Sequence, residues 1–126
     1  MILLDTNVVF WSLVNDELVG STARSRMNST SCYISSISIV EFRIKEMKGK
    51  LQMPDRISER VTALGFHLID FGPRHADALK DFPELVGNDP FDRMLLAQAS
   101  VDGLEFLTSD RALKALDKPW IIDATQ

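Results

Sequence analysis

Short apolar segments alternate with longer segments of mixed polarity along this chain, and no other feature constrains its fold as strongly. Nearly continuous apolar segments are typical of strands that are buried on both faces, whereas helices need the longer segments. Strands that alternate with helices favour a parallel sheet with helices on both sides. The sequence therefore predicts an α/β fold, a three-layer α/β/α sandwich with a mainly parallel central sheet of four to five strands, at residues 1–4, 32–35, 66–69, 104–107 and 120–122.

Helix caps and apolar stripes place the helices between these strands. The clearest helix follows Ser38 and stops at Gly49, because residues 37, 40, 44 and 47 are apolar at helical spacing. The other helices are predicted after Asp5, around 21–27, from Pro54 to about Leu64, from Pro73 to near Phe82, from Pro90 to about Val101 and after Asp110, with a loop at 82–88.

The length of the chain sets its domain organisation and its surroundings. With 126 residues, of which 45% are hydrophobic, it is expected to form a single domain over 1–126. No apolar run is long enough for a membrane span, and no basic segment precedes the first apolar residues. Cys32 is the only cysteine, so it has no partner for an internal disulfide. We expect a cytoplasmic protein with no membrane partner.

A net charge of -4 argues at first against a nucleic-acid partner, because phosphate contacts come from lysine and arginine. If four of the carboxylates hold cations, however, the rest of the chain is formally neutral. The basic residues are also unevenly distributed. A local basic rim is therefore expected from Arg43, Lys45, Lys48 and Lys50.

Four acidic residues are placed to meet at one edge of the predicted sheet. Asp5 and Asp110 each follow a strand, and Glu41 and Asp92 fall in the first turns of the helices that we place after Ser38 and Asp89. Loops at the carboxyl ends of parallel strands converge, and carboxylate oxygens are the ligands that Mg²⁺ and Mn²⁺ prefer. The spacing predicts a divalent metal site.

Each acid also has a purely structural interpretation. Ser38-x-x-Glu41 has the form of a capping box, and Asp92 stands three residues after the N-cap candidate Asp89. Asp5 favours the metal site, because a carboxylate that closes a buried strand is costly unless something offsets its charge. Glu41 and Lys45 are four residues apart, which indicates either a helix ion pair or a cation placed to meet phosphate.

Other site chemistries find no support. The chain has no glycine-rich phosphate loop and no cysteine or histidine pair with zinc-ligand spacing. His67 falls in a predicted strand and His75 on a predicted helix, where structural or surface roles are expected.

Four segments together carry a family resemblance. They are Leu3-Leu4-Asp5-Thr6-Asn7, the stretch from Ser38-Ile39-Val40-Glu41 through Lys45 to Gly49-Lys50-Leu51, the stretch DPFDRMLLAQA from Asp89 to Ala99, and Leu107-Thr108-Ser109-Asp110. Over nearly its whole length the chain resembles the PIN-domain ribonucleases of the VapC toxin type, from bacterial toxin–antitoxin pairs. It departs from many relatives at Gly87-Asn88, where a His-Arg pair is common, and at Val40, where an aromatic residue is frequent.

The resemblance implies a PIN-like fold and a Mg²⁺-dependent endoribonuclease, with Mn²⁺ as a possible substitute, that acts as the toxin of a VapBC-type system. It implies that the catalytic and metal-binding acids are Asp5, Glu41, Asp92 and Asp110. Thr6, Asn7, Ser38 and Thr108 are expected behind them, and the RNA contacts are expected from Arg43, Lys45, Lys48 and Arg93. The implied partners are RNA with structured or single-stranded loops, tRNA included, a VapB-type antitoxin and a second copy of the chain.

Other classes of protein remain as alternatives. One is a PIN-like module that binds RNA or a protein without cutting, and another is a receiver-like module that binds Mg²⁺. A receiver needs an acid pair after its first strand and an aspartate after its middle strand, whereas this chain offers Asp5 alone and then Asp70. A phosphatase of the haloacid dehalogenase kind needs a second acid where Asn7 stands.

Overall fold

The computed structural model describes residues 1–126 and contains one sheet of five parallel strands. Its order is β3-β2-β1-β4-β5, so the chain builds outward on one side of β1 and then crosses to the other. The predicted parallel sheet is confirmed. The strands are β1 (Ile2–Leu4), β2 (Cys32–Ser35), β3 (His67–Ile69), β4 (Glu105–Thr108) and β5 (Ile121–Asp123).

Seven α-helices connect the strands, together with three short 3₁₀ turns at Asp16–Leu18, Ala78–Asp81 and Pro83–Leu85. None of the helices combines the length and the apolar character that crossing a membrane requires. The helices are α1 (Thr6–Val14), α2 (Ser21–Ser29), α3 (Ser36–Met47), α4 (Ile57–Ala63), α5 (Pro73–Asp77), α6 (Pro90–Asp102) and α7 (Arg111–Lys114).

Two apolar cores lie on opposite faces of the sheet. Successive residues of a strand point to opposite faces, so Ile2 and Leu4 of β1 join one core while Leu3 joins the other. The first core packs α1, α2, α3 and α4 against the sheet, and the second packs α6, α7 and the 3₁₀ turns at Ala78–Asp81 and Pro83–Leu85. The three-layer α/β/α sandwich predicted from the sequence is therefore confirmed.

The predicted start of the helix after Ser38 is wrong, and the interpretation of Ser38-x-x-Glu41 as a capping box does not apply. Helix α3 begins three residues earlier, at Ser36 with Ser35 as N-cap, and the Ser35 hydroxyl accepts a 3.1 Å hydrogen bond from the Ile37 amide. Ser35 is also the last residue of β2, so the chain caps the helix as soon as the strand ends. Glu41 consequently lies in the second turn of α3 and is free of a capping role.

Two other predicted helices are shorter than expected. Helix α4 begins at Ile57, because the carbonyls of Pro54 and Asp55 accept hydrogen bonds from the Arg43 guanidinium at 2.8 and 2.7 Å. Helix α5 ends at Asp77 and continues as a 3₁₀ turn. Pro83 has no amide hydrogen for the Leu79 carbonyl, which accepts from Phe82 instead.

Glycines end two helices as predicted. Gly49 follows α3 with a φ of 73°, and Gly103 follows α6 with a φ of 66°. This left-handed conformation suits glycine because it has no Cβ to clash. Gly103 turns the chain directly into β4, which brings Asp110 to the edge of the sheet that also carries Asp5.

Candidate metal and active site

Asp5 is the most deeply placed of the predicted acids. It follows β1 directly, caps α1 and is only 3% exposed. Its Oδ1 accepts a 2.8 Å hydrogen bond from the Thr6 amide, and its Oδ2 accepts a 2.6 Å bond from the Thr108 hydroxyl. Burial raises the pKa of Asp5 to about 6, against the lowering effect of these two bonds. The charges of Glu41 and Asp110 raise this pKa further, so both lie near it.

Asp110 reaches the same place from the neighbouring strand. Strand β4 ends at Thr108, whose hydroxyl accepts a 3.0 Å hydrogen bond from the Asp110 amide. Oδ1 of Asp110 caps α7 by accepting a 3.0 Å bond from the Leu113 amide. The cap uses one carboxylate oxygen, and the charge of Asp110 acts on Asp5 and Asp92. Asp110 therefore both caps a helix and belongs to the acidic group.

Asp92 stands in the first turn of α6, as the sequence predicts. Helix α6 is capped by Asp89, whose Oδ1 accepts a 2.8 Å hydrogen bond from the Phe91 amide. Burial raises the pKa of Asp92 to about 8, and the charges of Asp5, Asp89, Asp110 and Glu41 add to the rise. A carboxylate perturbed by burial and by several like charges is typical of a functional site.

Glu41 approaches the group from α3. It is 5% exposed, and its Oε2 lies 3.0 Å from the Lys45 ammonium one turn later. Oε1 is buried and has no hydrogen-bond partner. A buried carboxylate oxygen without a partner is costly, which marks this atom as a candidate ligand.

Hydroxyl groups connect the elements behind these acids. The hydroxyls of Thr6 and Ser38 lie 2.9 Å apart and join the first turns of α1 and α3. Both residues and Thr108 are buried, whereas Asn7 is exposed. Three of the four expected supporting residues are thus buried, and Asn7 is exposed to solvent.

The four basic residues predicted to contact RNA differ in the hydrogen bonds and ion pairs that their side chains make within the chain. Arg43 binds Glu46 and the carbonyls of Pro54 and Asp55, and Arg93 binds the Leu79 carbonyl through Nε and Nη2 at 3.2 and 2.9 Å. Lys45 pairs with Glu41. Lys48 alone makes no ion pair or side-chain hydrogen bond.

The four acids act on one another electrostatically without converging on a point. No three acidic, histidine or cysteine side chains lie close enough together to hold a cation in the arrangement of the structure. Mutual repulsion favours such separation, and Asp92 and Asp110 are only partly buried, which leaves their side chains room to rotate. The set nevertheless fits a hard divalent cation, because all four groups are carboxylates and Oε1 of Glu41 is buried without a partner.

The topology of the sheet also favours this edge. The chain reverses its direction of travel between β1 and β4, and ligands of open parallel sheets bind outside the carboxyl ends at such a point. The largest cavity, of about 570 Å³, lies at the opposite edge among Asn28, Cys32 and His67, and no acid lines it. The sheet edge that carries the four acids is therefore a better candidate for a functional site than this cavity.

Two polar residues have roles that the sequence does not predict. Asp89 is expected only as a cap, yet its charge raises the pKa of Asp92, and its place three residues before Asp92 is the available signal. Gln98 is completely buried in α6 and donates a 3.1 Å hydrogen bond to the Asp70 carbonyl beyond β3. A glutamine within the apolar run of α6 is the sequence pattern that indicates a buried hydrogen bond of this kind.

The family model described as the PIN domain matches residues 2–119. No curated protein sequence matches the chain. Among solved structures, a DNA-bound VapBC from Salmonella typhimurium is 23% identical with a TM-score of 0.65, covering 97% of this chain and 95% of the other. VapBC2 from Rickettsia felis, bound to a promoter DNA fragment, is 18% identical with a TM-score of 0.69, covering 98% and 97%.

A third structure, a toxin–antitoxin complex from Klebsiella pneumoniae, is 18% identical with a TM-score of 0.58 and covers 87% of both chains. Identities this low show a shared fold. The family model carries more weight, because it spans the acids from Asp5 to Asp110 and almost the entire chain. The chain therefore belongs to the PIN domain family.

Proposed function

We propose that this chain is the toxin of a VapBC-type toxin–antitoxin system and acts as a Mg²⁺-dependent endoribonuclease. One observation carries the proposal. The charges of Glu41 and Asp110 raise the pKa values of buried Asp5, at the carboxyl end of β1, and of partly buried Asp92, at the start of α6. An acidic group in a desolvated place needs a counter-charge, and a divalent cation is the ligand that suits an all-oxygen set.

Each acid has a distinct part in this proposal. Asp5 and Asp92 are proposed as the firmest ligands, since burial and neighbouring carboxylates raise the pKa of both. Glu41 would contribute Oε1, and Asp110 the oxygen that does not cap α7. The bound ion would supply Lewis-acid stabilisation of phosphoryl oxygens and a lowered pKa for an attacking water. Thr108 and Thr6 would hold Asp5 in one orientation.

RNA is the proposed substrate, cut at a phosphodiester bond to leave a 5′-phosphate and a 3′-hydroxyl. Unpaired loops are the proposed target, because the bases of single-stranded RNA are accessible where those of a duplex are not. Lys48, which has no partner within the chain, is the freest of the proposed phosphate contacts. The proposal extends to Arg43, Lys45 and Arg93, although their side chains also bind within the chain.

An RNA cleavage assay tests the activity. The purified protein should cut a structured RNA such as tRNA with Mg²⁺ or Mn²⁺, and excess EDTA, Asp5→Asn or Asp92→Asn should stop the cutting. Asp117→Asn is the matched control, because Asp117 is exposed and makes no ion pair. Cutting that persists in EDTA and in both variants would exclude the metal mechanism. Metal binding without cutting would favour a non-catalytic RNA- or protein-binding module.

The proposed protein partners are a VapB-type antitoxin and a second copy of the chain. Support comes from the similar structures, which are VapBC or toxin–antitoxin complexes. Co-purification of the chain with the product of the neighbouring gene, followed by light scattering to obtain the mass, tests both partners. Inhibition of RNA cleavage by that product would be expected, and an active complex would contradict the toxin assignment.

A further inference from the structure

The ion pair between Lys45 and Glu41 differs from an ordinary pair on a helix surface. Glu41 is almost fully buried, while the Lys45 side chain is 36% exposed. Oε2 of Glu41 lies 3.0 Å from the ammonium, and Oε1 has no partner. The Lys45 ammonium thus contacts a single carboxylate oxygen of the acidic group, Oε2 of Glu41.

Lys45 is the only basic residue that forms an ion pair with any of the four acids. The other ion pairs of the chain join other carboxylates, such as Glu46 with Arg43 and Asp123 with Lys114. The charge of Glu41 also acts on Asp5 and Asp92. A positive charge on Glu41 therefore offsets part of the repulsion within the whole group.

We propose that Lys45 is the internal counter-charge of the acidic site, and that a bound divalent cation and the Lys45 ammonium oppose each other electrostatically. This inference rests on the proposed metal-dependent function. Two positive charges near the same carboxylates repel, and solvent and salt screen only part of that repulsion at a partly buried site. Lys45 accordingly weakens cation binding and stabilises the metal-free protein.

A role as a simple helix pair gives a different expectation. Such a pair would add the same small stability with or without the cation, and its removal would leave the affinity for the cation unchanged. A role in fixing Glu41 as a ligand gives the opposite sign, because its loss would weaken cation binding. Affinity for the cation separates the three roles without any measurement of cleavage.

The experiment titrates Mn²⁺ into the protein and follows free Mn²⁺ by electron paramagnetic resonance. Lys45→Met should bind Mn²⁺ about threefold more tightly or better, and Lys45→Arg should bind like the wild type because it keeps the charge. Lys118→Met is the matched control, since it removes the same charge from a similarly half-buried residue without an ion pair and should leave the affinity for Mn²⁺ unchanged. Lys45→Gln replaces Lys45→Met if the latter does not fold.

Thermal unfolding supplies a second measurement. In EDTA, Lys45→Met should melt below the wild type, and saturating Mn²⁺ should narrow that difference by linkage. Equal or weaker Mn²⁺ binding by the variant, or an unchanged difference in melting temperature, would overturn the inference alone. Failure of the wild type to bind Mn²⁺ would instead overturn the proposed function and this inference with it.

Discussion

The Thr108 hydroxyl donates a 2.6 Å hydrogen bond to Oδ2 of Asp5, joining the ends of two strands that are adjacent in the sheet. The same hydroxyl accepts a bond from the Asp110 amide. One side chain therefore fixes the orientation of a buried carboxylate and the start of the loop that carries another. The bond crosses the point between β1 and β4 where the topology of the sheet places a ligand site.

Removing this hydroxyl should destabilise the protein. Thr108→Val keeps the shape of the side chain but takes away the donor, leaving a buried carboxylate oxygen unsatisfied. We expect the free energy of unfolding to fall by about 1–3 kcal/mol, measured by urea denaturation. Thr108→Ser keeps the hydroxyl and should lose clearly less. Equal losses in the two variants would show that packing of the methyl group, and not the hydrogen bond, matters here.

Neutralising Asp92 should stabilise the metal-free protein and weaken its binding of a cation. Asp92→Asn removes a charge that is disfavoured by burial and by four neighbouring carboxylates. The free energy of unfolding of the metal-free protein at pH 8 should rise by about 1 kcal/mol after allowance for solvent screening, while Mn²⁺ affinity falls. Thermal unfolding and Mn²⁺ titration measure the two effects. A variant that is less stable than the wild type in EDTA would contradict this electrostatic account.

Arg93 should matter to the fold as well as to RNA. Its Nε and Nη2 both donate to the Leu79 carbonyl, which anchors the 3₁₀ turn at Ala78–Asp81 to the start of α6. Arg93→Lys keeps the charge and loses the planar pair of donors, so we expect the free energy of unfolding to fall by about 1–2 kcal/mol. Urea denaturation checks this value. Wild-type stability in Arg93→Lys would leave RNA contact as its main role.

Local patterns in the sequence were sufficient to predict the strands and the positions of most acids. Each strand is a short apolar run, and Asp5, Asp92 and Asp110 stand at strand or helix boundaries that local residues define. Local patterns do not determine the start of α3, because Ser35, Ser36 and Ser38 are all acceptable N-caps. The end of β2 decides in favour of Ser35, and that choice depends on pairing with β1 and β3.

Contacts between distant residues could not be predicted from local patterns. The bond from Thr108 to Asp5 spans 103 positions, and the tie from Gln98 to the Asp70 carbonyl spans 28. Residue types and spacing do not specify such bonds, because many polar side chains could satisfy the same carboxylate or carbonyl. The hydrogen bonds from the Arg43 guanidinium to the carbonyls of Pro54 and Asp55 likewise form only when α3 and the following loop pack together.

Stability of the metal-free protein should fall as pH rises from about 4 to 8. The folded pKa values of Asp5 and Asp92, about 6 and about 8, lie above the ordinary value of 3.8, so the folded protein holds more protons than the unfolded chain in this range. Their contribution is fully present below the ordinary pKa and is lost as pH passes the folded values. Thermal unfolding in EDTA should therefore give a higher melting temperature at pH 5.5 than at pH 8.5. Saturating Mn²⁺ should flatten this dependence, because the cation replaces the protons, and Asp92→Asn should remove most of it. A melting temperature that rises with pH in EDTA would show that these carboxylates are not desolvated together.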